Sequence, residues 1–173
     1  MRLSQAACRA ILVILVTCPG ATVAAGHTLT PTQKRVLVTW FKEKAGYRRA
    51  TLADCGCAAD VQNVRTGYGG EWKGVPDYHP YVATGDFDSD GDEDFAVVVV
   101  HRSGAWKLLI FNAPFQEAAS PAYVDTGLDF GRLALFYGPP RPKPYRLVIG
   151  PFESEGAVVV PKNGTYVLDW GEY

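Results

Sequence analysis

Residues 85–95 read GDFDSDGDEDF and set six carboxylates, those of Asp86, Asp88, Asp90, Asp92, Glu93 and Asp94, within nine positions. Like charges packed so closely oppose a compact turn. The flanks nevertheless require one, because YVAT before the stretch and AVVVV after it are apolar, β-branched runs that read as strands. A tight acidic turn between two strands calls for a cation. Calcium takes oxygen ligands, and alternate side chains of a turn can be aimed at one point. Asp86, Asp88, Asp90 and Asp94 occupy positions 1, 3, 5 and 9 of D-x-D-x-D-G-x-x-D, with the main-chain carbonyl of Asp92 at position 7. Gly91 at position 6 permits the sharp backbone bend. This leaves the Asp92 side chain and Glu93 as solvated extras. The competing reading is a solvated acidic turn without an ion. An EF-hand is excluded, since its twelfth position is a bidentate glutamate and here it is Val97, with strands rather than helices on either side.

The stretch GDFDSDGDEDFAVVV resembles the calcium-binding loop of FG-GAP and VCBS-type repeats, the units of integrin-like β-propellers, where such aspartates join two neighbouring strands of a blade. The resemblance covers residues 85–99 and implies Asp86, Asp88, Asp90 and Asp94 as side-chain ligands and Asp92 as a backbone ligand. It does not extend to a whole propeller, because the unit occurs once and nothing recurs at a fixed period. The remaining chain resembles small exported bacterial proteins that carry one such loop, and no activity follows from that likeness. The expected affinity is that of extracellular modules, about 10⁻⁴ to 10⁻³ M.

The first 25 residues read as a secretory signal peptide. Arg2 and Arg9 form a basic start, AILVILV is an apolar core too short to span a bilayer, and VAAG offers small residues for cleavage after Ala25. A lipoprotein reading through Cys18 fits less well, with Thr17 before the cysteine and Pro19 after it. The expected location is therefore the periplasm or the exterior. Residues 26–173 form the expected single domain, with no membrane span after cleavage. It carries 15 basic and 18 acidic side chains, a net charge of −3, and no basic stripe, which removes the electrostatic basis for a nucleic-acid partner.

Within that domain TPTQKRVLVTWFKEKAG predicts an amphipathic helix capped by Thr30 and Gln33, with Val36, Leu37, Trp40 and Phe41 on one face. A shorter helix is predicted over Cys57 to Arg65, ending at Gly67. From Tyr81 onward the pattern predicts strands over 81–85, 95–101, 106–112, 133–137, 145–149, 156–160 and 165–170, with Asn163-Gly164 as a tight hairpin turn. The expected fold class is α+β, with N-terminal helices packed on an antiparallel β-meander that contains one calcium-loop hairpin.

Three further constellations carry candidate chemistry. Cys55 and Cys57, in DCGC, are a candidate disulfide in an exported protein. They also allow a rival reading, a small hydrolase or thiol-redox enzyme using these cysteines with His79 or His101, and zinc held by the same four residues is a further alternative. Tyr68, Trp72, Tyr78, His79 and Tyr81 surround a Gly/Pro-rich loop; Trp72 and Tyr81 are expected to pack, and Tyr78 and His79 are the candidate ligand or partner surface. The leading expectation is a non-enzymatic, calcium-binding interaction module with a protein partner in the envelope or outside the cell. An inhibitor or immunity role is one version of it.

Overall fold

The computed structural model describes residues 26–67, 73–115, 120–138, 143–152 and 154–171. The expected leader with Cys18, and the loop aromatics Tyr68 and Trp72, lie outside them. Helix α1, Pro31–Glu43, starts where the sequence predicts: the Gln33 N–H donates to Thr30 Oγ1 at 3.3 Å and the Thr30 N–H donates to Gln33 Oε1 at 2.8 Å. Two of the N-terminal donors that every helix leaves unpaired are thereby satisfied. Helix α2, Ala58–Thr66, stops at Gly67, whose φ of 84° lies in the left-handed region that glycine adopts without steric penalty. Among the described residues no helix is long and apolar enough to cross a membrane.

The strands are β1 (Tyr47–Arg49), β2 (Val82–Gly85), β3 (Asp94–His101), β4 (Trp106–Phe111), β5 (Tyr123–Asp125), β6 (Ala134–Phe136), β7 (Val148–Gly150), β8 (Ala157–Lys162) and β9 (Thr165–Asp169). They form two antiparallel sheets rather than the single meander expected from the sequence. In the first, β3 is central, with β4 and then β5 on one side. Its other edge is shared: β2 pairs with the first half, from Val82↔Val97 to Gly85↔Asp94, and β1 with the second, from Tyr47↔His101 to Arg49↔Val99. The second sheet is a meander in the order β6-β7-β8-β9. Its last hairpin turns at Asn163 (φ 52°) and Gly164 (φ 75°), the pair of left-handed residues that a type I′ turn demands.

The reason for two sheets is written on β3. Its residues are apolar on both faces, and such a strand needs cover above and below. Ala96 and Val98 share a buried cluster with Leu108 and Ile110 of β4 and with Leu135, Ile149, Val159 and Tyr166 of the second sheet. Phe95, Val97 and Val99 point the other way, into a cluster with Leu109, Phe111 and Val36, Leu37 and Trp40 of α1. The chain leaves the first sheet at Asp125, whose Oδ1 accepts the N–H groups of Gly127 and Leu128, and the Tyr81 hydroxyl then holds the Phe130 carbonyl at 2.8 Å. At the opposite edge Gly26 pairs with Thr84 by two backbone hydrogen bonds of 3.1 and 2.7 Å.

Candidate metal centre

The acidic stretch joins β2 to β3, and the pairing Gly85↔Asp94 closes its base. Asp94 is fully buried, and each of its oxygens accepts a main-chain N–H at 2.9 Å: Oδ2 from Phe87 and Oδ1 from Ala113. Burial pushes its carboxyl up to about 7; the two N–H donors pull the other way, and the nearby charges of Asp88 and Asp90 add to the rise. Asp86 accepts from the N–H groups of Asp90 and Gly91, both at 3.1 Å. Asp88 accepts from the Asp90 N–H at 3.3 Å and, through Oδ2, from the Asn112 amide at 2.6 Å. Burial, and next to it the Asp90 charge, hold the Asp88 carboxyl above the usual range. Ser89 (φ 68°) and Gly91 (φ 94°) make the left-handed bends.

One oxygen each from Asp86, Asp88 and Asp94 lies within 4.8 Å of the others, so this group could hold a metal ion. Calcium–oxygen distances of about 2.3–2.6 Å put opposite ligands of one ion about 5 Å apart, which accommodates that spread. Asp90, equally spaced in the sequence, is not in the group: it is exposed and its Oδ1 accepts the Asp92 N–H at 2.8 Å. Asp92 is exposed and its N–H is spent on that turn. Glu93 is not a solvated extra. Its Oε1 accepts from Gln33 Nε2 at 3.1 Å, linking the loop to the cap of α1.

Several residues that hold this loop carry no local sequence signal. Phe87 is buried in the core with its ring 5.0 Å from that of Tyr137. The Tyr137 hydroxyl, just past β6, donates to the Asp86 carbonyl at 3.0 Å. Asn112, which donates to Asp88, accepts through Oδ1 from the Tyr166 hydroxyl of β9 at 2.8 Å. The register Phe95↔Phe111 sets residue 112 beside Asp94, and only that register reveals it.

The other candidates fall elsewhere. Cys55 and Cys57 are joined to each other by a disulfide, which occupies both sulfurs that the zinc and nucleophile readings required. His79 Nδ1 accepts the Tyr81 N–H at 3.2 Å, and His101 Nδ1 lies 2.7 Å from Ser103 Oγ. Tyr78 is corrected from a candidate surface to a core residue: it is 2% exposed, clusters with Cys57 and Val61, and stacks on Phe136. Tyr81 packs in the core as expected. Comparison with known protein families, with curated proteins and with solved structures found no match.

Proposed function

We propose that the chain is an exported calcium-binding protein in which one ion, held by Asp86, Asp88 and Asp94, fixes the β2–β3 loop as the loops of FG-GAP and VCBS-type repeats fix theirs. Its role is that of a non-enzymatic binding or interaction module acting on a protein partner in the envelope or outside the cell. The observation that carries the calcium reading is the convergence of three carboxylates on a loop tied to both sheets, through Tyr137 to Asp86 and through Asn112 and Tyr166 to Asp88. An ion there draws together groups that otherwise repel, and it stiffens the junction between the sheets. The oxygen-only donor set suits a hard cation, and calcium tolerates irregular geometry better than magnesium.

Titration calorimetry on residues 26–173 is expected to show one calcium site per chain, with magnesium binding more weakly. Absence of calcium binding at millimolar concentration would refute the reading. Capture from the envelope fraction with and without chelator tests the interaction role. A partner retained only with calcium ties the loop to recognition; one retained under both conditions confines the ion to stability.

A further inference from the structure

The two sulfurs of the Cys55–Cys57 disulfide stand in unequal surroundings. Cys57 is the N-cap residue of the nine-residue helix α2: its carbonyl accepts the Val61 N–H at 3.0 Å, while its side chain caps nothing. It is buried against Val61 and Tyr78. Cys55 is only partly buried, and the intervening Gly56 is exposed. Asp54 next to it is paired with both terminal nitrogens of Arg48, which neutralises a charge that would repel an arriving thiolate.

We propose that this pair is a thiol-exchange site that passes its disulfide to a dithiol, such as two cysteines of an unfolded exported chain. A substrate thiolate attacks Cys55 Sγ, forming a substrate–Cys55 bond and breaking the Cys55–Cys57 bond; Cys57 leaves as the thiolate. The second substrate thiolate attacks the first substrate sulfur, closing the substrate disulfide and releasing Cys55. The substrate loses two electrons and the protein pair gains them. The leaving sulfur is suited to its part, because a thiolate at the N-cap can accept the first-turn N–H groups and sits at the positive end of the helix. A better leaving thiolate exchanges faster. Opposing it are the apolar burial of Cys57 and Asp60, the acidic residue of that first turn. The released Cys55 thiol has an acceptor ready, since its sulfur lies 3.7 Å from the Leu52 carbonyl oxygen.

The test is equilibration of residues 26–173 with glutathione buffers, alkylation of free thiols and mass measurement of the peptide holding both cysteines, with circular dichroism recording the fold. Reduced glutathione is expected to open the bridge while the fold persists. Cys57→Ser treated with glutathione disulfide is expected to trap a mixed disulfide at Cys55, and Cys55→Ser to react roughly tenfold more slowly at buried Cys57. Asp60→Asn, which keeps both cysteines, is expected to shift the exchange equilibrium about two- to fivefold toward the reduced pair. A bridge that resists glutathione until the protein unfolds, or an equilibrium untouched by Asp60→Asn, would overturn the proposal.

Discussion

The Tyr137 hydroxyl donates a hydrogen bond to the Asp86 carbonyl at 3.0 Å, so a residue at the end of a strand in one sheet holds the first acidic residue of the loop that leaves the other. The same ring occupies the space beside Gly85, where an added Cβ would collide with Tyr137 Cε1. Gly85→Ala is therefore expected to push the sheets apart at this point and destabilise the fold by about 1–3 kcal/mol. Tyr137→Phe, which keeps the ring and removes the hydrogen bond, is expected to cost about 1 kcal/mol. Urea denaturation of the two variants separates the packing effect from the hydrogen bond.

Asn112 donates to Asp88 and accepts from Tyr166, so it needs both an amide and a carbonyl. Asn112→Asp keeps the size and places a further carboxylate against Asp88. The variant is expected to lose about 1–3 kcal/mol in chelator and to recover more stability from calcium than the wild type does. Denaturation midpoints with and without the ion measure the difference.

Gln33 joins two jobs, closing the capping box of α1 and binding Glu93 from the acidic loop, and it is 1% exposed. Gln33→Ala loses the return bond of the cap, leaves a small cavity and frees Glu93. The expected cost is about 1–2 kcal/mol, read as a lower denaturation midpoint.

His79 supplies one destabilising contribution to the expected pH dependence, opposed by buried Asp94. Burial first, and then the positive Arg49, Arg65 and His27, lower its pKa from 6.5 to about 4. At this residue the folded state binds fewer protons than the unfolded one between those values, so its contribution to stability falls as the pH drops from 6.5 toward 4, while Asp94, raised to about 7, takes up its proton preferentially in the folded state and works the other way. Buried His27, lowered in the same direction as His79 and donating to the Val82 carbonyl, adds to the His79 contribution. His79→Asn, which keeps an acceptor for the Tyr81 N–H, is expected to make the protein about 1 kcal/mol more stable at pH 5, relative to pH 7, than the wild type is, solvent at the half-buried ring reducing the full value. Urea midpoints at the two pH values check it.

What the sequence disclosed depended on how local each signal was. The capping box at Thr30 and Gln33, the stop at Gly67 and the Asn163-Gly164 turn are each decided within a few residues, and each stands where the pattern placed it. Strands β1 and β5 were not legible. Each has only three residues, and YRR and YVD carry too few apolar positions to show a period. The division into two sheets follows from long-range pairing, which the apolar runs do not encode individually. At the site, spacing alone made Asp90 and Asp94 equivalent; burial separates them, because Asp94 begins a central strand and Asp90 sits at the exposed tip. Asn112, Tyr137 and Tyr166 reach the loop only through the register of strands remote in sequence.

The central claim is that an ion held by Asp86, Asp88 and Asp94 completes this junction. Differential scanning calorimetry of residues 26–173, with millimolar calcium and with chelator, tests it most directly. The account predicts a higher melting temperature in calcium and no such shift in Asp88→Ala. A wild-type protein that melts at the same temperature under both conditions would contradict it.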